Sequence, residues 1–277
     1  MKKNKVLIVL RVFIALAVWF LITNSYSAFI EPMLEGKLPE IVSMIMRAVI
    51  VPYTVGLGAC YLILRGMLTP EKNTAGTSGI VSNINESAIN KDSKRLYDIT
   101  LGFMIKAFLV QTGLSMPVIM ILNIILNILG IPPHGMSSEE IFGKYFLFYI
   151  VLLLGFAPVV EEFLFRKLFL DRLLVVGETG AIIISAVLFG LPHAFSQGIP
   201  QMFGTFLIGL VWAYVRVKTG KLWPGIILHI MFNLYGCYFA TFMAMRPVTT
   251  VLYLFLGIIL LPVTAIIILI KHMSARN

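Results

Sequence analysis

Ala157-Pro158-Val159-Val160-Glu161-Glu162-Phe163-Leu164-Phe165-Arg166 sets three charges at the end of an apolar run that begins at Phe146. A charge inside a membrane helix costs several kcal/mol, roughly 2.5–3.5 on insertion scales, so such residues pair up or carry chemistry. The spacing separates these two jobs. Glu162 and Arg166 stand at i and i+4 with the acid on the N-terminal side, the favourable order for a helical ion pair. Glu161 is rotated ~100° away at 3.6 residues per turn and takes no part in that pair. It is a spare carboxylate at an apolar depth, a candidate general base.

The rest of the chain puts this stretch in a bilayer. Its 277 residues are 59% hydrophobic, with a mean hydropathy of +0.94. A soluble protein of this size has nowhere to bury that much apolar surface, so the expected fold is an all-α, polytopic membrane protein. Cys60 and Cys237 each lie within an apolar segment and suggest neither a disulfide framework nor a thiolate metal cluster. The net charge of +9 does not call for nucleic acid as a partner, because basic residues that hold cytoplasmic loops inside account for much of it.

Eight spans are expected: Val6–Phe29, Ile41–Leu64, Leu101–Leu129, Gly143–Leu174, Thr179–Phe195, Met202–Val217, Leu222–Phe242 and Thr249–Ile270. Most reach or approach the ~20 residues needed to cross a bilayer as helix. The first is too long for the apolar region of a signal peptide, usually ~7–15 residues, and reads as an uncleaved span. The segment Arg65–Tyr97 is rich in Asn, Ser, Thr and Gly and reads as a flexible loop. It divides residues 1–97, an N-terminal two-span region with its loop, from a six-span segment over 98–277. The catalytic core is expected among the C-terminal helices.

Orientation follows from the basic residues. With the N-terminus inside, the inner segments hold 16 Lys and Arg and the outer loops three, Lys37, Lys144 and Arg246. Both termini are therefore expected in the cytoplasm.

Of four histidines, His134 and His272 read as solvated surface, whereas His193 and His229 lie in apolar segments. His229 and Asn233, at i and i+4, share one helix face. A depth argument joins them to Glu161. If the fourth helix runs past the carboxylates to Leu174, Glu161 lies 13 residues from its cytoplasmic end, or ~20 Å. His193 lies 14 residues from Thr179, ~21 Å, and His229 and Asn233 lie 7 and 11 residues from Leu222, ~10 and ~16 Å. All four then meet near mid-membrane, which argues for a long fourth helix. Pro158 removes a backbone donor and is expected to free the carbonyl of Leu154. The outcome is either a kink that opens a polar cavity or an incidental membrane proline.

These residues resemble the CPBP family of intramembrane proteases, the group that includes CAAX proteases of the Ras-converting-enzyme type and the bacterial Abi proteins. Its Glu-Glu-x-x-x-Arg motif is similar to Glu161–Arg166, its Phe-x-x-x-His motif to Phe189–His193, and its His-x-x-x-Asn/Asp motif to His229–Asn233. The resemblance covers about Phe146 to Tyr238 and shows no departure from the pattern. It implies an endopeptidase, a hydrolase often called a metalloprotease, in which Glu161 activates water and His193 is a second essential group. His229 and Asn233 would hold the scissile carbonyl and its oxyanion, and Glu162 and Arg166 would brace the helix. Zinc, held by Glu161, His193 and His229 with water in the fourth position, is one implied mechanism. A metal-free, glutamate-dependent mechanism is slightly preferred, because no His-Glu-x-x-His signature is present. The implied partners are a peptide or membrane-protein substrate and the lipid bilayer, and the implied location is a bacterial plasma membrane. The alternatives are a non-catalytic scaffold or bacteriocin-immunity factor of the same fold and, further off, a small transporter, for which an internal repeat would be expected and none is seen.

Overall fold

The computed structural model describes residues 2–67, 97–131 and 137–274. Most of the Arg65–Tyr97 loop, and His134 with it, lies outside the described residues. Among the described residues there is no strand. The long helices among the described residues are α1 (Lys5–Leu34), α2 (Glu40–Leu64), α3 (Leu101–Ile128), α4 (Phe146–Val176), α5 (Glu178–Ser196), α6 (Ile199–Thr219), α7 (Trp223–Ala244) and α8 (Pro247–Ser274). Seven of them are long and apolar enough to cross a membrane, and the chain is an integral membrane protein.

The exception among the eight expected spans is α6, which is 21 residues long but less apolar. Its place in the bundle explains this. It packs along α5 on one side and α3 on another, and Thr205, Ile208, Trp212, Ala213 and Val215 are all buried. A helix covered by protein has less need of an apolar surface than one that faces lipid.

Local chemistry sets the ends of these helices. Thr100 caps α3 by accepting a bond from the Phe103 N–H at 3.1 Å. Ser137 and Glu140 form a reciprocal capping box on the short helix Ser138–Phe142. Gly177, at φ +97°, makes the sharp turn between α4 and α5, a conformation that side chains with a Cβ rarely adopt. The short connections from α4 to α7 leave consecutive helices antiparallel.

Between membrane helices, lipid is as apolar as leucine, so association rests on close packing. Small residues provide it. A Cβ added at Gly209 would stand 3.1 Å from the Ala186 Cα, and one at Gly190 would stand 2.9 Å from the Met202 carbonyl, so α5 and α6 nearly touch along their backbones. The same holds between α3 and α8, where Gly113 lies against the Leu261 carbonyl. The N-terminal pair is joined by the indole of Trp19, which donates to the Pro52 carbonyl at 2.8 Å. Arg47, inside the second span, pairs with Glu31 at 3.1 Å near the same end of the pair.

The long fourth helix is present and unbroken from Phe146 to Val176, but its winding is not uniform. Residues Leu152–Phe156 and Phe163–Leu170 are π-helical. These wider turns flank the short α-helical piece Ala157–Glu162 that carries the two carboxylates.

Candidate active site

Glu161 and Glu162 leave α4 in different directions and meet different surroundings. The Glu162 side chain is fully buried and Oε2 accepts from Arg166 Nε at 3.3 Å, the expected i,i+4 pair. Arg166, also fully buried, donates through Nη1 to Ser185 Oγ at 2.8 Å, and Ser185 in turn donates to the Phe165 carbonyl at 3.2 Å. The guanidinium carbon lies 5.1 Å from the centre of the Phe189 ring and 5.9 Å from that of Trp212, within cation–π range. Helix α7 closes over this pair at Gly225, where an added Cβ would stand 2.7 Å from Glu162 Oε2.

The Glu161 side chain is 20% exposed and belongs to no Arg or Lys pair among the described residues. Its Oε1 accepts from the Tyr53 hydroxyl at 2.7 Å. Its Oε2 lies 3.9 Å from His229 Nε2. The other ring nitrogen of His229, Nδ1, lies 3.9 Å from Glu162 Oε1, so one imidazole spans both carboxylates. Neither Nδ1 nor Glu162 Oε1 has a hydrogen-bond partner among the described residues.

The His229 ring is held flat against Trp212, with centroids 4.3 Å apart and planes 28° from parallel. Trp212 is itself tied down, since Nε1 donates to Gln111 Oε1 at 2.5 Å. The Gln111 amide donates to the Leu228 carbonyl, one residue before His229, at 3.0 Å. A fully buried amide with both ends satisfied thus locks α3, α6 and α7 together behind the imidazole.

His193 is fixed by its own helix. Its Nδ1 lies 2.9 Å from the Phe189 carbonyl, which can only accept, so Nδ1 donates this bond and Nε2 is left for another partner. The Phe189 ring, buried, lies 5.2 Å from the His193 ring and 6.1 Å from the His229 ring. The phenylalanine of the Phe-x-x-x-His stretch is therefore the wall shared by both histidines and the ion pair.

Asn233 does something the sequence did not indicate. In the π-helical turn of α4 the Ala157 N–H bonds to the Leu152 carbonyl, five residues back. The next donor in that register would serve Leu153, but residue 158 is proline and has none. Asn233 Nδ2 takes its place, donating to the Leu153 carbonyl at 2.8 Å. The carbonyl that needs a side-chain donor is thus Leu153 and not Leu154, a shift of one residue caused by the wider turn. One amide hydrogen of Asn233 is committed to this bond and the other is left. Among the described residues, no hydrogen bond joins His193 or Asn233 to Glu161.

The donors named for zinc were Glu161, His193 and His229. Among the described residues no three His, Cys, Asp or Glu side chains converge closely enough to hold a metal ion.

Residues 143–235 match the family model for type II CAAX prenyl endopeptidases, Rce1-like. The match is consistent with a CPBP family protease. The match takes in α4, α5, α6 and the first half of α7, with all the residues of the three CPBP motifs, and leaves out α1 and α2. At family level the match supports an intramembrane endopeptidase of CAAX type, that is, a protease. No curated protein and no solved structure matches the chain.

Sequence reading missed Tyr53, Gln111, Ser185 and Trp212. A glutamine and a tryptophan in otherwise apolar helices were a signal for two of them, since buried polar groups seek partners. Nothing in the local spacing marked Tyr53.

Proposed function

We propose that the protein hydrolyses a peptide bond at or near the membrane, using a water activated by Glu161. The observation that carries this reading is the split between the two carboxylates: Glu162 is spent on Arg166, while Glu161 is partly open and faces His229 across 3.9 Å. A water at ordinary hydrogen-bond distance, ~2.8 Å, from both Glu161 Oε2 and His229 Nε2 fits that gap. Glu161 takes its proton as the oxygen attacks the scissile carbonyl carbon. His229 and the remaining amide hydrogen of Asn233 are the donors for the oxyanion, and His193 offers an acceptor at Nε2. The carbon–nitrogen bond then breaks, and the proton held by Glu161 passes to the leaving amine. The substrate is a peptide or membrane protein presented from the bilayer, and the CAAX-type family description makes a prenylated C-terminus the first to try.

The mechanism rests on side chains, without a metal. The zinc alternative requires Glu161, His193 and His229 to close around one ion, and metal analysis of the purified protein beside His193→Ala decides between the two. Loss of both bound zinc and activity in the variant would favour zinc. We further propose that both termini face the cytoplasm; labelling of Ser78→Cys by an impermeant thiol reagent from outside intact cells would reverse this.

The direct test is cleavage of a fluorogenic prenylated CAAX peptide by the purified protein. Glu161→Gln keeps the shape and removes the base, so turnover should fall by at least ~10²-fold. A wild-type rate in Glu161→Gln would overturn the proposal.

A further inference from the structure

The matched segment is not the whole of the site. Tyr53 stands on α2, 108 positions before Glu161, and its hydroxyl is within 2.7 Å of Glu161 Oε1. The contact is built from several sides. The Tyr53 ring meets Phe156 of α4 edge-on, with centroids 5.5 Å apart and planes at 62°. The preceding carbonyl, that of Pro52, is gripped by Trp19 Nε1 at 2.8 Å. Gly56 lets α1 lie close, since a Cβ there would stand 2.6 Å from Trp19 Cδ1. Residues Met46–Gly56, which carry Tyr53, are wound as a π-helix around Pro52. Such wide turns re-aim side chains and recur at functional sites.

This bond has a consequence for the carboxylate. A glutamate side chain has three rotatable bonds, and an isolated one samples many rotamers. With Oε1 held by Tyr53, the other oxygen is the one that faces His229 Nε2. We infer that Tyr53 is a positioning residue for Glu161, so that the N-terminal pair α1–α2 completes the active site instead of merely accompanying it. The inference rests on the reading of Glu161 as the base. The Tyr53 hydroxyl orients that base and leaves Oε2 free for water.

Tyr53→Phe removes the hydroxyl and keeps the ring against Phe156. In the full-length protein in proteoliposomes, with a fluorogenic farnesylated CAAX peptide as the probe, it should lower kcat roughly tenfold, the scale of one charge-assisted hydrogen bond, and leave KM little changed. In the Glu161→Gln background the same substitution should have no further effect on the residual rate. An equal fall in both backgrounds would make Tyr53 a packing residue and overturn the inference, as would an unchanged kcat. A second readout needs no substrate. The infrared carboxyl band isolated by subtracting Glu161→Gln from wild type should move in Tyr53→Phe, and an unmoved band overturns the inference whatever the probe's turnover. The underlying reading fails separately, through full activity of Glu161→Gln.

Discussion

One face of α4 is closed and the other is open, although the two residues that define them are adjacent. On the closed face Glu162, Arg166 and Ser185 are fully buried and bonded to one another, with Phe189 and Trp212 against the guanidinium. On the open face Glu161 keeps 20% of its side chain exposed and touches a tyrosine hydroxyl and, at a distance, an imidazole. The difference teaches how a membrane helix holds a reactive carboxylate. The cost of burying charge is offset on one side by the Glu162–Arg166 pair and the Ser185 hydroxyl. The preceding residue, Glu161, is then presented at a set angle without an Arg or Lys partner among the described residues. His229 joins the two faces, because its ring nitrogens lie 3.9 Å from each carboxylate.

The comparison is most sharply broken from the closed side. Glu162→Ala leaves a buried guanidinium without its carboxylate, and breaking a buried pair in this way costs about 3–5 kcal/mol. Denaturant titration in mixed micelles should show that loss. Ser185 and the two aromatic rings give Arg166 further partners, so Arg166→Ala should be no milder; a Glu162→Ala protein as stable as wild type would mean that those partners suffice alone.

Next in size is the contact that closes α7 over the pair. Gly225→Ala puts a methyl group 2.7 Å from Glu162 Oε2, and overpacking of this kind costs about 1–3 kcal/mol. The strain falls on the carboxylate that spans to His229, so activity should drop along with the melting temperature. A fully active, fully stable Gly225→Ala would show that α7 can withdraw.

Asn233→Ala tests the link between the π-helical turn and the site. It leaves the part-buried Leu153 carbonyl without its donor, at a cost towards the lower end of the ~1–3 kcal/mol of an unsatisfied polar group. Pro158→Ala restores a backbone donor in the same register, so the stability cost of Asn233→Ala should shrink in that background. Turnover should not recover, if the second amide hydrogen serves the oxyanion. Equal stability costs in the two backgrounds would separate Asn233 from Pro158.

The smallest effect is expected on the open side. Glu161→Gln retains an oxygen for the Tyr53 hydroxyl and breaks no ion pair, so its stability should lie within about 0.5 kcal/mol of wild type, as for substitutions away from buried networks. A large loss, seen in the same denaturant titration, would place Glu161 among the structural residues and erase the distinction between the two faces.

Much of the architecture was legible in the chain. Runs of apolar residues mark the eight long helices to within a few residues, and for seven of them the reason is that a bilayer demands about 20 apolar residues of helix whatever the neighbours are. The Glu162–Arg166 pair was legible for a related reason: the helical period alone brings i and i+4 together. The same period placed Phe189 beside His193 and His229 on one face with Asn233. What it could not supply was the winding of α4, where the π-helical turn Leu152–Phe156 moves the carbonyl that needs a side-chain donor from Leu154 to Leu153.

By itself, then, the sequence determined which residues are polar at depth and which of them a single helix brings together. The tertiary structure alone decided the rest: that Tyr53 meets Glu161 across 108 positions, that Asn233 reaches Leu153 across 80, and that Gln111 and Trp212 back His229. The physical reason is the range of the forces involved. Helical period and hydropathy act within a few residues and are written locally. Which helix faces which depends on small residues such as Gly113, Gly190 and Gly225 that let backbones close, and on side chains from separate helices satisfying one another in a medium that offers them no water.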